Sequence, residues 1–439
     1  MDAVPVLRLI GGLLLASLAA LTVLPVSASS LWTASIAVTE AGYLLVLVAL
    51  LPLLPGWRST ASGRVGGLLS MGAIVLFIAP IVYAMELSRE LPAAFAKQFG
   101  QEQRARPEYA DEARAVPFDL PQLIYPAELS LTRFERRTFP NLDGKDVTID
   151  IYRPSYPHGR IPAVVILHGG FWQDGDSMEF VALNAYLAAR GYVVAVVNYR
   201  LLPEWPFPAA RDDVLSTIAY LKVRAKEFGV DPSRFAILGR SGGAQLALLV
   251  AYALDDPAIR GAISLYGPSD LAQWYSTPGR VIDARGTLQA YLGGPPEREQ
   301  VAYEAASPIS FVRATTPATL LVHGMRDDVV PAGQSERLAA RLQEAGVRHL
   351  LVRMPWATHG CDRSFAGPCG QIATYAVERF LDSVMIVRKR DRAATPARKA
   401  RAVKVRTKRG GTSPARRGPA SRRAPGTGGP VRAAGEGGR

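Results

Sequence analysis

The chain has 439 residues, 49% of them hydrophobic, with a formal net charge of +13. That apolar content excludes a wholly disordered polymer, and the length allows one sizeable core beside smaller segments. The charge excludes less than it suggests: residues 388–439 hold 17 Lys and Arg against Asp391 and Glu436, a net of +15, which leaves −2 for everything before them.

The apolar residues concentrate at the front. No charge lies between Arg8 and Glu40, from Ala41 to Trp57, or from Val65 to Met85. A bilayer crossing needs about 20 mainly apolar residues, so three spans are expected, roughly 8–28, 32–55 and 66–86. The first has a second reading as a signal peptide, since "LIGGLLLASLAALTVL" resembles an apolar h-region and "VSA" a cleavage site. Arg58 and Arg64 in the loop "GWRSTASGRVGG" favour a cytoplasmic second loop, which delivers residue 90 onward to the outside whether or not the first span is removed. Arg89, Lys97, Arg104 and Arg106 after the third span, and the basic C-terminus, pull the other way. Glu40 falls inside or at the edge of the second span, and is expected to stay hydrated near the interface rather than to mark function.

The chain divides into a transmembrane region (1–90), a linker or cap segment (91–130), a catalytic domain (131–387) and a basic tail (388–439). The linker is polar and punctuated by proline. From about residue 145 a strand and helix rhythm begins. "DVTIDIYR" alternates with period two, and the continuous apolar runs "PAVVILHG", "YVVAVVNY", "RFAILGRS", "RGAISLYG", "ATLLVHG" and "HLLVRMPW" suit strands buried on both faces. Helical patterns lie in "EFVALNAYLAARG", "PAARDDVLSTIAYLKVRAKEFG", "SERLAARLQEAG" and "QIATYAVERFLDSV". The fold class expected is α/β, a mostly parallel sheet with helices on both faces, whose sites gather at the carboxyl ends of the strands.

Gly239-Arg240-Ser241-Gly242-Gly243 sits where the strand "RFAIL" gives way to the helix "AQLALLVAYAL". Flanking glycines permit the sharp turn that lifts a serine hydroxyl above a sheet. A serine needs a base, and a base needs a carboxylate to orient it. Of five histidines, His158 reads as a surface turn and His349 precedes a strand. His168 and His323 end strands, and His359 in "MPWATHGCD" follows the last strand before the final helix. His359 is the expected base and Asp327 the expected carboxylate, with Asp328 in reserve. Oxyanion donors are expected from the backbone N–H groups of Gly170, Phe171 and Gly242, with Gly169 as a substitute, because "HGGFW" follows a strand directly. His168 then ties the turn. Phe171, Trp172, Trp205 and Trp274 are candidates for an apolar substrate pocket, although each has a packing role as its simpler reading.

Residues 130–385 resemble the α/β-hydrolase esterases, in particular the carboxylesterase and lipase group near hormone-sensitive lipase, through "HGGFW", "VNYRLLPEWPFPAARDD", "GRSGG", "HGMRDDVVP" and "ATHG". The HGGFW form is also similar to kynurenine formamidases and to membrane-anchored isoprenylcysteine methylesterases. The resemblance implies cleavage of a carboxylic ester; the serine mechanism runs through an acyl-enzyme with no metal or organic cofactor, and membrane attachment points to a small hydrophobic or lipid-like substrate. Amide hydrolysis is the alternative, and a non-catalytic membrane scaffold a more distant one. Two departures stand out: Arg240 replaces the acidic residue or histidine often found before the nucleophile, and Phe171 replaces the third glycine of HGGG.

Cys361 and Cys369 form either a short-range disulfide in an oxidising compartment or two free thiols. The tail, rich in Ala, Pro, Gly and Arg, has too few large apolar residues to bury a core. It contains no aromatic residue on which bases stack, so no nucleic-acid partner is expected. Anionic lipids or envelope polyanions suit its charge better, as does a plain solubilising role.

Overall fold

The structure is a computed structural model that describes residues 3–100, 114–126, 132–155 and 159–385. The basic tail, His158 and residues 101–113 and 127–130 of the linker expected over 91–130 lie outside the described residues.

The first hundred residues are helical. Helix α1 (Ala3–Ala20) is followed by α2 (Ser29–Ala41), a 3₁₀ turn Gly42–Leu44, α3 (Leu45–Ala49) and a second 3₁₀ turn Leu51–Leu53. The 39-residue α4 spans Ala61–Phe99. Three stretches, Ala3–Ala20, Ser29–Leu53 and Ala61–Phe99, are long and apolar enough to cross a membrane. Small residues let α1 lie directly on α4: a Cβ at Gly12 would stand 2.3 Å from the carbonyl oxygen of Gly66. Close backbone approach of this kind is the usual packing mode of apolar helices, for which hydrophobic exclusion offers no driving force in lipid. Leu15, Ala19, Val38, Ala49, Ala73 and Phe77 fill the space between the helices.

Two sequence expectations need correction here. The third helix does not stop near residue 86 but continues thirteen residues beyond it, into the stretch read as linker. Its polar residues Glu86, Arg89 and Glu90 share the outer half of the helix with Ala84, Leu91, Phe95 and Phe99, which recur at helical spacing and are buried in the core beside the sheet. There Phe95 meets Tyr375 and Phe99 meets Phe380 edge to face. Glu40 is likewise not hydrated: it is 3% exposed, and its Oε2 accepts the backbone N–H of Cys369 at 3.0 Å.

The domain that follows is built on one eight-stranded sheet in the order β1-β2-β4-β3-β5-β6-β7-β8. The strands are β1 (Thr132–Pro140), β2 (Asp146–Pro154), β3 (Ile161–Leu167), β4 (Val193–Asn198), β5 (Val230–Arg240), β6 (Ile259–Leu265), β7 (Ala318–Gly324) and β8 (His349–Met354). Only the β1–β2 and β2–β4 pairings are antiparallel. The continuous apolar runs are the central parallel strands, and every residue of β3 and β7 is buried. β1, with Arg133, Glu135, Arg136 and Arg137, had no apolar run to betray it. It is an edge strand, where charge discourages pairing with other chains.

Each face of the sheet carries its own core. On one, the helices Ala209–Val223 and Gly242–Ala253 pack with three short helices inserted between β6 and β7, Leu271–Ser276, Ala284–Leu292 and Gln300–Ala306, which the sequence pattern had not revealed. On the other, Val181–Ala189, Pro368–Met385 and the outer half of α4 cover the strands. Parallel strands aligned this way bring the loops after β3, β5, β7 and β8 to one edge, where the predicted site residues lie.

Candidate active site

Ser241 stands at the junction of β5 and the helix Gly242–Ala253 with φ 52° and ψ −122°. Positive φ is costly for a residue with a Cβ and persists only where surroundings enforce it. Here they do so by contact. A Cβ at Gly239 would lie 2.0 Å from the carbonyl oxygen of Gly243, and one at Gly243 would lie 2.1 Å from that of His168. The elbow is therefore compressed between its own helix and the end of β3, and the glycines around the serine are a steric requirement.

The structure brings His359 and Asp327 to this serine. His359 Nε2 lies 2.8 Å from Ser241 Oγ, and Nδ1 lies 2.7 Å from Asp327 Oδ2. Since Nδ1 faces a carboxylate it carries the proton, which leaves Nε2 to accept from the serine hydroxyl. All three side chains are buried. Asp327 Oδ1 accepts the backbone N–H groups of Val329 and Val330 at 2.9 and 2.8 Å. Burial alone would raise its pKa, but the opposing pull of His359 and His323 holds the carboxyl at about 2. Asp328, the reserve candidate, turns away and accepts the N–H of Val26 at 3.0 Å.

His323 is a contact that sequence reasoning missed. Its Nε2 lies 2.9 Å from the carbonyl of Val330 and 3.2 Å from Asp327 Oδ2, while Nδ1 lies 2.7 Å from Ser335 Oγ. The signal was the short interval from His323 to Asp327 around Gly324. A Cβ at Gly324 would stand 2.3 Å from the Ala357 carbonyl, so the loops that carry Asp327 and His359 nearly touch.

The turn after β3 lies over Ser241. A Cβ on Gly169 would be 3.5 Å from Ser241 Cβ, and one on Gly242 would be 3.5 Å from Phe171 Cα. Gly170 has φ +96°, and a Cβ there would overlap the Asp174 carbonyl oxygen at 1.9 Å. His168 stacks on Tyr199 at 4.2 Å, and its Nδ1 lies 2.9 Å from the Gly169 carbonyl oxygen. Burial lowers its pKa and favours the neutral ring.

The four aromatic candidates separate. Phe171 is half-buried with its ring 6.3 Å from that of His359, so it borders the site. Trp172 is 1% exposed, stacked on Tyr291 at 4.1 Å and donating to Gln245 Oε1. Trp274 is equally buried and donates to the carbonyl of Val329. Both are core side chains with no surface left to line a pocket. Trp205 lies beneath the cations of Arg200 and Lys145.

Arg240 gains a clear account. Its Nε donates to Asp362 Oδ2 at 2.7 Å, its guanidinium lies 3.8 Å from the Phe180 ring centre, and Tyr266 donates to the other oxygen of Asp362 at 2.6 Å. The residue before Ser241 is thereby tied to the loop that carries His359. A disulfide between Cys361 and Cys369 joins that loop to the first turn of the helix Pro368–Met385.

The chain is similar to several known proteins. The BD-FAE family matches residues 149–342. Esterase LipQ of Mycobacterium tuberculosis is 29% identical over 256 residues, 54% of this chain and 59% of that protein, so the match spans less than two thirds of that relative. Ethyl acetate hydrolase of Pseudomonas putida is 31% identical over 280 residues, covering 57% of this chain and 82% of that protein. Among solved structures, an esterase from Pyrobaculum calidifontis superposes with a TM-score of 0.51 at 27% identity, over 58% of this chain and 86% of that one. With the strand order and strand-end loops already described, this degree of likeness across most of the Pseudomonas protein means that the chain belongs to the α/β-hydrolase carboxylesterase family.

Proposed function

We propose that the protein is a membrane-anchored serine hydrolase that cleaves carboxylic esters. The observation that carries the reading is the unbroken relay from Asp327 through His359 to Ser241, at 2.7 and 2.8 Å. Ser241 attacks the ester carbonyl while His359 takes its proton, and Asp327 stabilises the imidazolium. The developing oxyanion sits under the N–H groups of Gly170, Phe171 and Gly242, with Gly169 as a further donor. Preorganised donors of this kind need no reorientation as charge appears. His359 then returns the proton to the leaving alcohol, and water attacks the acyl-enzyme by the reverse route.

The substrate is a small hydrophobic or lipid-like ester, a reading supported by Phe171 beside His359 and by the apolar helices next to the site. Those helices anchor the domain, with the site on the extracytoplasmic side. The two arginines between the second and third spans favour that orientation, as does a disulfide, which persists in oxidising compartments. The basic tail suits anionic lipid headgroups.

The test is turnover of p-nitrophenyl esters of graded acyl length by the full chain and by Ser241→Ala, with fluorophosphonate labelling of intact and permeabilised cells. Serine-dependent ester turnover and labelling of intact cells are expected. Absence of Ser241-dependent turnover on every ester refutes the esterase reading. Labelling only after permeabilisation, with a probe that passes any outer envelope but not the membrane, refutes the orientation.

A further inference from the structure

The apolar N-terminal region does more than sit beside the catalytic domain. Helix α2 presents Trp32, Ile36 and Glu40, one turn apart, to the loop that carries His359. The indole N–H of Trp32 donates to the backbone carbonyl of His359 at 2.9 Å, and its ring stands 6.0 Å from the imidazole. Ile36 and Trp32 are the side chains that a Cβ on Gly360 would meet, at 3.7 and 3.9 Å. Glu40 accepts the N–H of Cys369 in the first turn of the helix that follows this loop. On the acid side, the connection between α1 and α2 receives Arg326, which donates to the carbonyls of Leu24 at 2.8 Å and of Thr22, while Val26 donates to Asp328. The neighbours of Asp327 and the backbone of His359 are thus both held by residues 22–40.

His359 lies in a connection, outside the strand ladder that fixes Val352 and Met354. Catalytic groups work only when held within about 0.5 Å of their productive geometry. A side-chain donor on the carbonyl of the base itself supplies such a hold. We infer that the N-terminal region is a working part of the active site, with Trp32 as a positioning residue for His359. The inference rests on the reading of Ser241, His359 and Asp327 as a catalytic relay. It assigns the anchor a task that a simple tether does not have.

Trp32→Phe removes the N–H and keeps an aromatic ring, whereas Trp32→Ala removes both. Each is compared with wild type as the full chain in detergent micelles. The active-site concentration is counted by fluorophosphonate burst, kcat and KM are measured on p-nitrophenyl acetate, and the second-order labelling rate of Ser241 is recorded. The expected result is a fall of about 10- to 100-fold in kcat per site and in labelling rate for Trp32→Phe. KM stays within twofold, the site count is unchanged, and Trp32→Ala falls no more than about threefold further.

A Trp32→Phe enzyme within twofold of wild type overturns the inference, even if Trp32→Ala is impaired, since packing then accounts for the residue. So does a loss confined to KM or to the number of sites. If wild type labels at Ser241 but hydrolyses no ester, the esterase reading fails alone and the labelling rates decide this inference. A wild-type Ser241 that does not label overturns both.

Discussion

Replacing Arg240 by leucine probes the bond between the nucleophile elbow and the base loop. The Arg240 side chain is 2% exposed and that of Asp362 6%, so the pair is screened little by water. In wild type Asp362 has two donors, Arg240 Nε at 2.7 Å and Tyr266 OH at 2.6 Å. Removing the arginine leaves a buried carboxylate with the tyrosine alone. Breaking a buried pair from one side costs about 3–5 kcal/mol, most of it the penalty of the abandoned charge. For a domain of this size 1 kcal/mol moves Tm by about 2–4 °C, so a fall of about 6–20 °C is expected. Removing both partners, as Arg240→Leu with Asp362→Leu, eliminates the stranded charge and recovers most of the loss. Thermal unfolding of the full chain in detergent, followed by near-UV circular dichroism, measures all four corners of the cycle. A single variant that melts within 2 °C of wild type, or a double variant no more stable than the single, refutes the account of Arg240 as half of a buried pair.

Three further outcomes are expected. Asp327→Asn lowers kcat on a soluble ester by about four orders of magnitude, because an amide no longer enforces the required imidazole tautomer; a change below tenfold removes Asp327 from the relay. The same variant tests the acid side of stability. The Asp327 carboxyl is held at about 2, below its ordinary 3.8, so its contribution is complete above about pH 4 and lost as pH falls toward 2. The stability gap between wild type and Asp327→Asn should narrow through that window, and a constant gap refutes the linkage. Gly170→Ala, at φ +96° and with its Cβ on the Asp174 carbonyl, should displace the turn over Ser241 and lower kcat by about 10²- to 10³-fold while the fold remains intact. Replacing Cys361 and Cys369 by serine opens a short loop, at a cost of about 2.5 kcal/mol on the chain-entropy argument, seen as a lower Tm that matches reduced wild type.

What could be read from the sequence was what neighbours in the chain determine. The buried strands announced themselves as apolar runs, and Ser241 and the HGGF turn followed from their positions at strand ends. Asp327 and His359 followed from chain order. What could not be read was pairing across long separations. Nothing near Arg240 points to Asp362, 122 residues away, and nothing near Trp32 points to the His359 carbonyl, 327 residues away. The length of α4 was missed for a different reason. Hydropathy averages over all faces of a helix, so Glu86, Arg89 and Glu90 masked the stripe of Ala84, Leu91, Phe95 and Phe99 that packs on the domain. A periodicity of 3.6 applied beyond residue 86 would have revealed it.

The uninterrupted run of α4 has a bearing on how the enzyme meets its substrate. At 1.5 Å per residue its 39 residues extend about 58 Å, nearly twice the hydrocarbon thickness of a bilayer. One end packs among the apolar helices and the other is part of the core beside the sheet, and the helix between them is continuous although it carries Pro80 and Pro92 in its interior. On the proposed membrane anchoring, a domain mounted this way moves with its apolar helices as they diffuse in the plane. Encounter is then two-dimensional: turnover of a membrane-borne ester should follow the number of substrate molecules per unit area of surface, and dilution of the bulk suspension at constant surface density should leave it unchanged.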